Sequence, residues 1–132
     1  MIDFLVPQDA PVFEVGPGAG ALTERLLAAG AREVVAWELD PAWAFTLRTA
    51  VRDPRLRVVV GDALEAPWSG LERSTRVAGN LPDNVATAII DRVLDAYERV
   101  PVAAFLVQLE VAQRLAAEQL DQVVGPDVGA PG

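Results

Sequence analysis

The sequence predicts an α/β domain, one parallel β-sheet with helices on both faces, and three observations predict it. Short apolar runs of four to six residues alternate with longer stretches whose apolar residues recur at helical spacing. The first run stops at a glycine-rich turn, Gly16-Pro17-Gly18-Ala19-Gly20, and a helical pattern begins at once. About half of the 132 residues are apolar, enough for one core and not for two.

Each element has its own signal. Val12-Phe13-Glu14-Val15 reads as the first strand, and Ala21 to Ala29, with Leu22, Leu26 and Leu27 on one face, as the first helix. Val34-Val35-Ala36-Trp37 is a second buried strand ending at Glu38. Pro41 opens a helix through Val51, since a proline suits a first helical turn. Leu56 to Val60 makes a third strand stopped by Gly61-Asp62, and a loop with Pro67 and Gly70 leads to a fourth over Thr75 to Gly79. A helix from about Asn84 to Arg99 carries Ile89, Ile90, Val93 and Leu94 on one face. Val102 to Val107 is a fifth strand and Glu110 to Leu120 a last amphipathic helix.

Right-handed crossovers between such strands lead to a Rossmann-like sheet in the order 3-2-1-4-5. Ligands of these sheets lie beyond the carboxyl ends of the strands where the order reverses, here between the first and fourth. The glycine-rich turn, Glu38, Asp62 and Asn80 all fall on that edge. Residues 1–120 read as the domain and 121–132, rich in Gly and Pro, as a disordered tail.

Composition removes several chemistries. Without Cys or His there is no disulfide framework, no thiolate site and none of the usual zinc or imidazole chemistry, so no metal is expected. No apolar run approaches the roughly 20 residues of a membrane span, and Met1-Ile2-Asp3-Phe4-Leu5 lacks the basic start of a signal peptide, so no membrane is expected and a cytoplasmic location is. All basic residues are Arg, a mark of codon bias. The net charge of −8 opposes a polyanionic partner. Arg48, Arg52, Arg55 and Arg57 form a local basic stretch around Asp53, which reads as a solvated helix end.

The glycines of the first turn let backbone approach a ligand, and the helix behind them points free N–H groups into the gap. Glu14, unusual in a buried run, orients the turn. Glu38, 22 positions after Gly16, is placed to accept the ribose hydroxyls of an adenosine-containing cofactor, while Asp40, just before Pro41, fits an N-cap. Asp62 reads either as an acceptor for an adenine amino group or as a turn aspartate. Gly16, Gly18 and Ala21 also satisfy a loose dinucleotide fingerprint, so these features leave S-adenosylmethionine and NAD both open. Gly79-Asn80-Leu81-Pro82 goes further: an amide and a carbonyl before a proline nitrogen are two acceptors suited to an amino group. Accepting both protons of an exocyclic amine favours its pyramidal, reactive form, and methyl transfer then needs in-line approach.

Val12 to Leu22, Glu38-Leu39-Asp40, Gly61-Asp62-Ala63, Gly79-Asn80-Leu81-Pro82 and Phe105-Leu106-Val107-Gln108 resemble, in order and spacing, the rRNA adenine N6-dimethyltransferase family, which includes dimethyladenosine transferases and macrolide-resistance methylases. The likeness runs from about Pro11 to Ala117. It implies an S-adenosylmethionine domain of Rossmann-like fold followed by a small helical domain, with rRNA as partner. By that likeness Glu14, Gly16, Gly18 and Gly20 seat the methionine moiety, Glu38 holds the ribose, and Asp62 and Ala63 meet the adenine. Asn80, which also belongs to the cofactor-binding set, binds the target amine with Leu81 and Pro82, and Phe105 stacks on the target base.

The departures bear on activity. Asp83 stands where the family has an aromatic that stacks on the adenine, a contact worth roughly 1–3 kcal/mol. Leu109 replaces a basic residue, and Ile2 and Asp3 replace the Gln and Asn of an N-terminal cofactor motif. After Leu120 there is no counterpart of the final strands or the helical domain, so the fifth strand is expected to show an open edge. The leading expectation is S-adenosylmethionine-dependent methylation of rRNA adenine. The second is a non-catalytic module that binds cofactor or partner, and a distant third is an NAD-dependent oxidoreductase, which lacks a His or Lys for proton transfer. Trp37 and Trp43 are expected in the core, Trp68 as a lid or base platform, and Leu109, Leu115 and Leu120 in helix packing.

Overall fold

The computed structural model describes residues 9–107, 110 and 112–118. Five strands, β1 (Pro11–Val15), β2 (Glu33–Glu38), β3 (Leu56–Val60), β4 (Arg76–Asn80) and β5 (Val102–Leu106), form one all-parallel sheet in the order β3-β2-β1-β4-β5, as predicted. Val12 pairs with Val34 and Arg76, and Gly79 with Val15 and Phe105. Because side chains alternate across a strand, this register sorts the apolar residues onto two faces. Val12, Val34 and Ala78 pack with Leu26 and Leu27 of helix α1 (Ala21–Ala28), and Val51, just past helix α2 (Pro41–Ala50), joins them. Phe13, Val15 and Val77 pack on the other face with Ala86 and Ile89 of helix α3 (Asp83–Asp95). Residues 112–118 are helical and bring Leu115 to that same core.

Local chemistry explains the boundaries. Asp40 caps α2 by accepting from Ala42 N at 2.9 Å, with Pro41 in the first turn. The helix predicted to reach Arg99 stops at Asp95. Tight turns follow, and the Arg99 carbonyl accepts from Thr75 N at 3.1 Å, which brings the chain back to start β5 beside β4. Two 3₁₀ turns, Ala63–Glu65 and Trp68–Gly70, make up the β3 to β4 connection. Arg55 departs from the solvated-end reading of the basic stretch. Its guanidinium donates to the Leu27 and Ala31 carbonyls behind α1, each at 3.1 Å, while gripping Asp53.

Two aromatic expectations are corrected. Trp43 is 46% exposed, because α2 turns Ala44 and Leu47 inward and leaves the indole on its flank. Trp68 is no lid: it is 6% exposed, its ring packs on Phe13 with centroids 4.7 Å apart, and its Nε1 donates to the Ala63 carbonyl at 2.9 Å. Trp37 stacks on Phe13 from the other side and packs against the core as expected. Among the described residues β5 ends the sheet, and no helix is long and apolar enough to cross a membrane. Ile2, Asp3, Gln108, Leu109, Leu120 and the predicted tail lie outside the described residues.

Candidate functional site

At the carboxyl edge of the sheet, backbone bonds extend the ladder one step past three strands. Gly16 N donates to Trp37 O and Gly61 N to Glu38 O, both at 2.9 Å, and Leu81 N donates to Leu106 O at 2.8 Å. The three turns are thereby fixed against one another. Gly16, Gly18 and Gly20 then take φ of 64°, 54° and 97°, a left-handed path that glycine follows without a Cβ penalty. Gly20 begins α1 without a side-chain cap. A hollow of about 460 Å³ opens there, lined by the whole Gly16–Leu22 turn together with Glu14, Arg25, Asn80 and Leu106.

A second hollow of about 190 Å³ adjoins it, walled by Gly16, Glu38, Asp62, Ala63, Asn80 and Pro82 among others. Gly16 and Asn80 belong to both. Tertiary structure therefore brings Glu14, Gly16, Gly18, Gly20, Glu38, Asp62, Ala63, Asn80 and Pro82 to one edge. Leu81 is buried beneath it. Phe105 lies outside both walls, its ring packed into the α3-side core. A further hollow of about 210 Å³ lies between Phe13, Trp37, Arg57 and Leu71 and contains none of the predicted residues.

Two buried carboxylates set the electrostatics. Glu14 is 1% exposed and accepts from Thr23 Oγ1 at 2.5 Å. Burial pushes its carboxyl up to about 7, against the opposing effect of that hydrogen bond. Glu38 accepts from Gly18 N at 3.2 Å through one oxygen and from Asp40 N at 2.9 Å through the other, so it ties the glycine turn to the start of α2. A carboxylate has about four lone-pair sites, which leaves acceptor capacity for two hydroxyls. Asp62 accepts from Leu64 N at 2.9 Å, so the turn role is filled, and its position in the second hollow keeps the ligand role open as well.

Gly79 has a packing reason: a Cβ there would stand 2.6 Å from the Val15 carbonyl oxygen. Its glycine lets β4 approach β1 where Asn80 must reach the cleft. Asp83 is exposed in the first turn of α3, where a negative charge complements the helix dipole. Sequence reasoning missed Thr23 and Arg25. Thr23 carried a readable signal, a polar residue on the same helical stripe as Leu26 and Leu27. Arg25 sits two positions further on and borders the larger hollow, with nothing local to single it out.

The ribosomal RNA adenine dimethylase family model matches residues 4–122. The chain belongs to this family. A ribosomal RNA small subunit methyltransferase A from Jannaschia sp. (strain CCS1) is 40% identical over 120 residues, covering 86% of this chain and 42% of that protein. One from Geobacter metallireducens is 43% identical over 116 residues, covering 83% and 42%. The chain thus spans less than half the length of these relatives. Among solved structures, the 23S rRNA methyltransferase ErmE superposes with a TM-score of 0.73 at 33% identity, over 89% of this chain and 47% of that one. A dimethyladenosine transferase from Plasmodium falciparum shares the fold, with a TM-score of 0.68 at 23% identity over 87% and 42%. The matched family is one of methylases rather than oxidoreductases.

Proposed function

We propose that this chain provides the cofactor-binding and amine-binding elements for S-adenosylmethionine-dependent methylation of the N6 amine of adenine in rRNA. One observation carries the reading: Asn80 stands where the two hollows meet, beside both the glycine turn and the Glu38–Asp62 wall. The cradle fits such a cofactor. Its floor is glycine backbone, Glu14 is a buried acid facing an amino-acid-sized space, and Glu38 closes the second hollow with spare acceptors. Gly16, Gly18, Gly20 and Glu14 would hold the methionine end, Glu38 the ribose, and Asp62 with Ala63 the adenine. Bound there, the cofactor supplies an electrophilic methyl group.

The chain's own contribution is positioning. The Asn80 side-chain carbonyl and the Leu81 carbonyl accept the two protons of the target amine, which localises its lone pair. Pro82 offers no N–H to compete, and its carbonyl is taken by Val85 N and Ala86 N, each at 3.2 Å. No covalent intermediate or protein base is required, since the amine nitrogen becomes cationic as it accepts the methyl group and then releases a proton to solvent. Phe105, paired with Gly79 and packed against the α3-side core, would present its ring edge to the target base, and a cytoplasmic location accords with an rRNA substrate.

Calorimetric titration with S-adenosylmethionine, S-adenosylhomocysteine and NAD, followed by methyl transfer to an rRNA fragment, tests this. Expected are saturable binding of the first two, its loss in Glu38→Ala, and loss of transfer with retained cofactor binding in Asn80→Ala. Binding of NAD alone overturns the reading. A non-catalytic binding module draws support from the exposed Asp83 at the rim; there the chain binds cofactor without turnover, and Asp83→Tyr restores methylation if the defect is local.

A further inference from the structure

We infer that the outer flank of α2, beside edge strand β3, is a docking surface for the phosphate backbone of the RNA substrate. The inference rests on the functional reading above and adds where the RNA lies. Residues 41–60 carry four arginines and one aspartate, while the other 112 residues carry seven arginines and eighteen acids. The one aspartate is engaged: both oxygens of Asp53 accept from the Arg55 guanidinium, at 3.1 and 2.8 Å. Glu24 stands in α1 and Asp83, Asp91 and Asp95 in α3, but α2 has no acid. In an acidic protein this is the surface where a polyanion meets attraction.

Geometry gathers the charge into a stripe. Phe45 and Arg48, at i and i+3, share one flank of the helix, Arg52 lies two residues past its end at Ala50, and all three are exposed. Arg48 Nη2 donates to the Val58 carbonyl at 2.9 Å, which places that flank against β3. Arg52 Nε donates to Thr49 O at 3.5 Å. A guanidinium has five N–H donors, so each retains several for phosphate oxygens. Phe45 is 70% exposed, an aromatic face offered to solvent among cations, as single-strand binding surfaces present it. Leu39, 69% exposed, leads from the second hollow directly into α2. A strand whose target base enters beside Asn80 therefore has a continuous path over Leu39 and Phe45 to Arg48 and Arg52, along a helix about 15 Å long.

The test is the affinity of this chain for a fluorescein-labelled single-stranded rRNA fragment, followed by anisotropy from low to moderate NaCl. In Arg48→Gln/Arg52→Gln the slope of log K against log salt should fall by about 1.4, the value for two lost phosphate contacts on a single strand. Phe45→Ala should weaken binding roughly ten-fold or more at fixed salt. Arg73→Gln/Arg114→Gln removes the same charge elsewhere and should leave the slope nearly unchanged. Equal slope changes in the two pairs, no change in the α2 pair, no RNA binding by the chain, or preference for phosphatidylglycerol vesicles over RNA overturns the inference. S-adenosylhomocysteine affinity, measured on the same variants, separates the two ideas. Wild-type cofactor binding and methyl transfer in the α2 variants sink the docking surface alone, whereas an RNA slope that responds in a chain that binds no cofactor sinks the methyltransferase reading.

Discussion

Replacing Glu14 by Gln keeps its size and its acceptor for Thr23 Oγ1 but removes the titration. The Glu14 carboxyl has an ordinary value of 4.5 and is raised to about 7 in the folded protein, with burial as the leading cause. Between those values the native state holds a proton that the unfolded chain has released. Stability therefore falls as pH rises: the native state is unpenalised below about 4.5 and loses most above about 7. At about 1.4 kcal/mol for each pH unit, the full loss is about 3 kcal/mol, a large share of a marginal domain's stability. Urea unfolding at pH 4 and pH 8 measures it. The two proteins should match at pH 4, and Glu14→Gln should be more stable by up to about 3 kcal/mol at pH 8. The same variant should bind S-adenosylmethionine more weakly at pH 8, because the carboxylate facing the larger hollow is gone. Parallel stability curves over this range would refute the argument that burial holds Glu14 protonated.

Other consequences follow from the same geometry. Gly79→Ala places a Cβ 2.6 Å from the Val15 carbonyl oxygen, backbone that has no room to swing away, and should cost about 1–3 kcal/mol in urea unfolding; an unchanged midpoint contradicts the close approach of β4 to β1. Asp40→Ala removes the cap on Ala42 N and should cost about 1 kcal/mol while leaving S-adenosylhomocysteine affinity unchanged, since Glu38 bonds the Asp40 backbone and not its side chain. A parallel loss of affinity would move Asp40 into the binding site. Asn80→Ala, by contrast, should leave the unfolding midpoint within about 0.5 kcal/mol because its side chain is exposed, so that its loss of methyl transfer reads chemistry rather than folding.

The alternation of apolar runs with helical stripes was enough to read all five strands and their order, because parallel strands joined by right-handed crossovers leave few arrangements. Asp40 before Pro41 was legible for the same local reason, a cap needing only its neighbours in sequence. Glu38 and Asp62 were legible as residues at strand ends, where a Rossmann-like sheet puts its ligands. What a side chain packs against was harder. Trp43 and Trp68 are both large aromatics near the ligand edge, and nothing local says that α2 spends its inward positions on Ala44 and Leu47 or that the loop folds Trp68 under Phe13. The packing of Phe105 against the α3-side core, with Leu106 bordering the cleft, was likewise not legible from β5 alone.

By itself, then, the sequence determined the strands, their topology, most of the residues that reach the carboxyl edge and the family, because each is encoded in short-range pattern and ordered motifs. Only tertiary structure decided that Asn80 joins two hollows, that Glu14 is buried against Thr23 with a raised carboxyl, and that Phe45, Arg48 and Arg52 stay exposed while Arg55 is consumed behind α1. Burial and charge state depend on which distant segments arrive beside a group, and local pattern carries no record of that.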